Sequence, residues 1–274
     1  MERMKYVEYS NEERVATITL ARGDKANAQN EGMLDELHAC FLEAEQDDSV
    51  GAIVMRAEGK HFSAGHDLDT SHEDSVQLFE PDGSFQLHKI YRWEAKKFFG
   101  YSWYWRNIPK PTIAAVQGKA IAGALNLLFP MDLLVAAEDA LFSDPVVLMA
   151  VGCVEYHGHT WDFGARRAKD LLFTGRPMTA EEALHVGLVR EVVPRDELWD
   201  RTHAIAREIA QRNPFGLAQV KRAVNQTLDV QGYFAALQSV FDIHQTGHGN
   251  AISVSGYPML SDLTQMKDAI SKKG

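Results

Sequence analysis

The stretch KAIAGALNLLFPMDLLVAAEDALF, residues Lys119 to Phe142, is apolar almost throughout and carries one amide, Asn126, in its middle. A run of this kind is stable only between packed layers. An amide buried there without partners costs free energy. Asn126 is therefore either a satisfied core residue or part of a site. The flanking sequence sets the class of fold. RVATITLAR alternates, with Ala16, Ile18 and Leu20 on one face, and reads as a strand. GMLDELHACFLEA places Met33, Leu34, Leu37, Cys40, Phe41 and Ala44 at helical spacing, and GAIVMRAEG is a short buried strand. The rhythm returns at PTIAAVQG, GALNLLF, DLLVAAE and LVREVVP. Repeats of this sort predict an α/β class with buried, largely parallel strands. After Pro194 the pattern is almost wholly helical, with Leu198, Thr202, Ile205 and Ile209 on one stripe. The predicted organisation is a core over residues 1–199 and a helical C-terminal region over 200–274.

Several functional classes are disfavoured by composition. A chain of 274 residues, 45% of them hydrophobic, can bury one sizeable core. No uncharged run is long enough to span a membrane. MERMKYVEYSNEERV has no apolar stretch after its basic residues, which argues against a signal peptide. Cys40 and Cys153 fit no metal or redox spacing and read as reduced thiols of a cytoplasmic protein. A net charge of −10 disfavours non-specific nucleic-acid binding, so an anionic ligand would need a local cluster of Lys and Arg. The segment from Asp69 to Pro109 is long and poorly patterned, and it ends in Tyr101, Trp103, Tyr104 and Trp105. Those rings serve equally to pack a helix on the core or to line a ligand pocket.

Two turns are built from small residues. In GKHFSAGHDL, Ala64 and Gly65 follow a strand, and their backbone N–H groups are open to an anion or a carbonyl oxygen. In VQGKAIAGALN, Gly118, Ala122, Gly123 and Ala124 open a buried helix, whose N-terminus offers free N–H donors. Two such donors on one oxygen make an oxyanion hole.

With these turns in place the chain resembles the crotonase (enoyl-CoA hydratase/isomerase) superfamily over most of residues 5 to 245. The resemblance rests on KANAQN, KHFSAGHDL, IPKPTIAAVQGKAIAGALNL, MDLLVAAEDALFSDP and LLFTGRPMTAEEALHVGLVREVVP, in that order. It implies a spiral of ββα units with a C-terminal helical trimerisation region, assembled as a homotrimer or a dimer of trimers. It implies lyase or isomerase chemistry on an acyl-CoA thioester, as in fatty acid metabolism, with CoA as part of the substrate and neither a separate cofactor nor a metal. Carried over by position, the oxyanion donors are Ala64 and Gly123. Lys25, Ala26, His66, Asp67 and Leu68 match positions contacting CoA, and Lys25 and Lys60, with Arg22, would hold its phosphates. His66 is expected to shape the CoA turn through its backbone.

The sequence departs from the family at the two acids. Similar hydratases place one glutamate shortly after the glycine-rich turn and another after a proline about twenty residues later. Here those positions are Asn126 and Val146. An amide can orient a water but takes no proton from it at neutral pH, and valine can do neither. The next loop, GCVEYHGHTWDFGARR, offers Glu155, His157, His159 and Asp162. Glu155 is the best available acid/base there, with His157 or His159 as alternatives and Asn126 orienting substrate or water. Glu155, His157 and His159 alternate, as metal ligands on one extended face can, but no further ligand is evident. Two rivals share the scaffold: a non-catalytic acyl-CoA binding protein, and a hydrolase of thioester or C–C bonds. Beyond Gln245 the sequence departs from the family pattern. Lys267, Lys272 and Lys273 either reach a neighbouring subunit's CoA or lie on a solvated tail.

Overall fold

The structure is a computed structural model that describes residues 4–68 and 82–261. Asp69 to Pro81 of the unpatterned segment, and Lys267, Lys272 and Lys273, lie outside the described residues.

Strands β1 (Val7–Glu12) and β2 (Val15–Leu20) form an antiparallel hairpin. A 16-residue helix, α1 (Glu31–Gln46), leads to β3 (Ala52–Ala57), which pairs parallel to β2. The Asn30 side chain caps α1 by accepting from the Met33 N–H at 2.9 Å. Next come α2 (Leu87–Glu94), a π-helical turn (Ala95–Gly100) and α3 (Tyr101–Asn107), which run on as one helix. From there the chain divides each pair of strands between two sheets. β4 (Thr112–Val116), β6 (Leu133–Ala137) and β9 (Glu191–Val193) extend the first sheet in parallel, giving the order β1-β2-β3-β4-β6-β9. Their neighbours β5 (Lys119–Ile121), β7 (Leu141–Ser143) and β8 (Met178–Thr179) form the second sheet, in the order β5-β7-β8. This is the expected spiral. The connecting helices are α4 (Ala124–Leu128), α5 (His159–Phe163), α6 (Ala165–Thr174) and α7 (Ala180–Val186).

Alternation along the parallel strands divides the core. Ile53 and Met55 face the main cluster with Phe41, Phe62 and Trp105. Val54, Ile113, Ala115 and Val135 face the other way, onto Leu198, Ile205 and Ala206 of α8 (Leu198–Ala210). A parallel sheet covered on both faces explains the near-continuous apolar strands. Two long helices close the chain: α9 (Pro214–Val230) and α10 (Tyr233–Ser255). α10 sends Tyr233 and Leu237 into the main core. The aromatic cluster of α3 mostly packs on that core. Tyr101 stacks on His38, and Trp105 stacks on Phe41.

Candidate active site

Backbone geometry decides which N–H groups are free at the two small-residue turns. Gln29 forms a parallel bridge with His66, donating to the Gly65 carbonyl at 2.8 Å and accepting from the Asp67 N–H at 2.9 Å. In such a bridge the N–H of His66 points away from Gln29. It has no hydrogen-bond partner among the described residues. The Ala64 N–H, by contrast, donates to the Ala26 carbonyl at 2.8 Å. This corrects the expectation drawn from position: Ala64 is not an available donor, and His66 is. Gly123 lies against the same turn, since a Cβ on Gly65 would come within 3.1 Å of the Gly123 nitrogen and 2.6 Å of the Ile121 oxygen. That contact, and a φ of +87° at Gly65, require glycine there. The Gly123 N–H is likewise without a partner among the described residues. The two turns therefore leave the His66 and Gly123 N–H groups as neighbouring donors without a partner among the described residues.

The His66 side chain takes a larger part than the expected backbone role. Its imidazole lies where a Gly123 side chain would be, within 2.3–2.8 Å of a Cβ built there, so Gly123 must lack one. The ring stacks on Phe98 at 3.6 Å between centroids. Its Nε2 meets both oxygens of Glu155, at 3.0 and 3.1 Å. A carboxylate accepts, so Nε2 carries a hydrogen, and in the neutral ring Nδ1 holds the lone pair. That Nδ1 has no hydrogen-bond partner.

Glu155 is 2% exposed and enclosed by donors. Asn126 Nδ2 donates to it at 2.6 Å, and His244 Nε2 lies 3.5 Å away. Burial alone would raise its pKa, but the two neighbouring imidazoles, His66 bonded to it and His244 beside it, outweigh burial and hold it down at about 2. Glu155 is thus held as a carboxylate against the His66 ring. Asn126 is also committed. Its Oδ1 accepts from the Tyr156 N–H at 3.1 Å, and its carbonyl accepts from Ser102 Oγ at 2.7 Å. Both ends of the amide are engaged, one holding Glu155 and the other the Tyr156 backbone. Asn126 is both satisfied and part of a site.

The remaining candidates are spread out. Asp67 is bound by Arg22 at 2.6 Å, and Arg22 also donates to the Ala28 carbonyl, so this buried guanidinium braces the turn that carries His66. Lys25 and Lys60 are exposed, and Ala26 has a left-handed backbone beside them. Leu68 is half-buried against the core. Val146 is buried in the main cluster, with its N–H 3.4 Å from Asp144 Oδ1. His157 bonds Thr160 at 2.8 Å, and burial together with His159 pushes its pKa down to about 4. His159 faces Asp144 at 3.2 Å. Glu155, His157 and His159 therefore point to different partners and form no common ligand set.

Sequence reasoning missed the groups behind Glu155. His244 and His248 lie one turn apart on α10, and Glu94 ends α2; all three are buried. The signal was present as HQTGH, two histidines at the i, i+4 spacing of one helix face.

Comparison with known proteins gives the family. The family model for enoyl-CoA hydratase/isomerase matches residues 10–254. The chain is 40% identical over 268 residues to "Putative enoyl-CoA hydratase EchA13" of Mycobacterium tuberculosis, covering 92% of this chain and 83% of the relative. It is 29% identical over 236 residues to 1,2-epoxyphenylacetyl-CoA isomerase of Escherichia coli, covering 83% and 86%. Among solved structures, a "probable enoyl-CoA hydratase" from Mycobacterium thermoresistibile superposes with a TM-score of 0.88 at 59% identity, over 93% of this chain and 99% of that one.

Proposed function

The chain belongs to the enoyl-CoA hydratase/isomerase family of the crotonase superfamily, and we propose that within it the His66 imidazole is the acid/base acting on the acyl-CoA. The observation that carries this reading is the unpartnered Nδ1 of a ring fixed by Glu155 and seated against Gly123. The thioester carbonyl would accept from the His66 and Gly123 N–H groups, which stabilise the enolate formed when a proton leaves the α carbon. His66 Nδ1 takes that proton. Glu155 balances the resulting imidazolium and fixes the ring, Asn126 holds Glu155, and Phe98 covers one face of the ring. A single base that removes and returns a proton suits isomerisation. Hydration by two carboxylates has no counterpart here, with Asn126 and Val146 at those positions.

Lys25 and Lys60 are the cations proposed for the CoA phosphates, beside Ala26 and Leu68. A cytoplasmic location is proposed from the unpaired Cys40 and Cys153. Among the described residues no helix is long and apolar enough to cross a membrane. Assembly as a homotrimer or a dimer of trimers is proposed from family membership.

The test is a panel of saturated and unsaturated acyl-CoAs, read for binding by calorimetry and for turnover by chromatography. His66→Ala keeps the backbone donor and removes only the imidazole. It is expected to lower kcat by about 10²–10⁴ while acyl-CoA affinity holds. Unchanged turnover in this variant would overturn the assignment. Tight binding without turnover across the panel would favour the non-catalytic reading, and free CoA detected by a thiol reagent would favour thioester hydrolysis.

A further inference from the structure

We propose that Glu94, His244 and His248 form a binding site for a divalent transition-metal ion such as Zn²⁺, fastening α10 to α2 behind the candidate active site. The argument starts from hydrogen positions that the backbone dictates. His244 Nδ1 lies 2.5 Å from the Cys153 carbonyl oxygen, and His248 Nδ1 lies 2.7 Å from the Pro258 carbonyl oxygen. A carbonyl oxygen only accepts, so both Nδ1 atoms carry their hydrogens, and in the neutral rings both Nε2 atoms present lone pairs. Those two Nε2 atoms are 2.9 Å apart. Glu94 adds its oxygens at 3.4 Å from His244 Nε2 and 3.5 Å from His248 Nε2. Three electron-pair donors thus converge in a buried space, which is repulsive unless a positive centre, a metal ion or a shared proton, lies among them.

Zinc sits about 2.0–2.2 Å from imidazole nitrogen and carboxylate oxygen, which places neighbouring ligand atoms about 3–3.5 Å apart. The two distances to Glu94 fit an ion, and the 2.9 Å between the Nε2 atoms is slightly short of that spacing, so the rings would part a little around it. The surroundings fit as well. Each imidazole donates its other N–H to a carbonyl, and Gln245 Nε2 donates to Glu94 at 2.5 Å, so every ligand is held in orientation from outside. Two imidazoles and a carboxylate select a borderline first-row ion over Ca²⁺ or Mg²⁺, which prefer oxygen alone. Glu155 Oε1, 3.5 Å from His244 Nε2, borders the cluster on the side of His66. The inference does not depend on the acyl-CoA reading, because these ligands are set by α2 and α10.

The full chain, purified without a metal-affinity tag, is assayed for metal by mass spectrometry, stripped with a chelator, and dialysed against Zn²⁺ or Co²⁺. The expected result is about one ion per chain, a Tm that falls on stripping and recovers on reloading, and visible absorption from the Co²⁺ form. Glu94→Gln and His248→Gln should each weaken Zn²⁺ binding by more than about tenfold, whereas His157→Gln should leave it unchanged. Should either ligand variant fail to fold, stripping and reloading the wild-type chain still decides the matter. A chain that takes up neither ion, with a Tm indifferent to chelator, overturns the proposal and leaves a proton shared between the two rings. Loss of the ion in His157→Gln overturns it equally.

Discussion

At the scale of single residues, Asn126 and Glu155 explain each other. An amide stands at 126 because a buried carboxylate lies 2.6 Å from its Nδ2, and a second carboxylate there would face the first at the same distance. Asn126→Asp should therefore be destabilised by about 2–3 kcal/mol at pH 8 through repulsion and the lost donor. The loss should shrink toward pH 5, where the pair can share a proton. Urea midpoints at the two pH values check this, and an equal loss at both would remove the repulsion from the account. The oddity of Asn126 was legible in sequence because one polar residue in an apolar run needs a partner. The identity of that partner was not legible, since Glu155 lies 29 residues further on and only the packed fold brings it back. The proposed oxyanion donors divide the same way. Gly123 could be read from its position at a helix start. Which N–H faces inward in Ala64-Gly65-His66 depends on the bridge from His66 to Gln29, and local sequence carries no record of that pairing.

At the scale of elements, turns and helix starts place the chemistry, and their two key glycines should fail differently. A Cβ at Gly123 meets the His66 imidazole, a side chain that can move aside. Gly123→Ala should fold with little change in Tm yet lose about a hundredfold or more in kcat, as the ring leaves its place. A Cβ at Gly65 meets the Ile121 carbonyl at 2.6 Å on a backbone with φ +87°, and neither yields cheaply. Gly65→Ala should cost about 2–3 kcal/mol of stability, read as a lower Tm. Equal behaviour of the two variants by calorimetry and kinetics would contradict the geometry. The helix over 87–107 shows why some elements hid from sequence reading. Its π turn at Ala95–Gly100 inserts an extra residue into the helical repeat, so the apolar positions before and after it fall on different stripes. The parallel strands suffered no such interruption, and their rhythm was readable throughout.

At the scale of the whole molecule, stability should carry a pH dependence traceable to α5. Burial pushes the Asp162 carboxyl up to about 7, and among the described residues no donor faces it. The folded chain therefore binds a proton that the unfolded chain releases near the usual carboxylate pKa of about 4. Stability from this group is fully present below about pH 4 and is lost as pH rises toward 7. Asp162→Asn should consequently gain on the wild type between pH 5 and pH 8, by about 2 kcal/mol, and parallel Tm curves would refute this. The largest-scale expectation concerns assembly. α9 buries only Lys221, and Val220 and Val224 are 65% and 57% exposed, one turn apart. Ala223 and Thr227 continue the same exposed, uncharged stripe. A chain of net charge −10 gains nothing by showing such a face to water, and covering it with further copies buries the valines. Val220→Glu with Val224→Glu should shift the mass measured by light scattering from an oligomer toward the 30.6 kDa chain, with the circular dichroism of the fold retained. If the oligomer survives both charges intact, α9 lies outside the interface and the contact must be sought on another face.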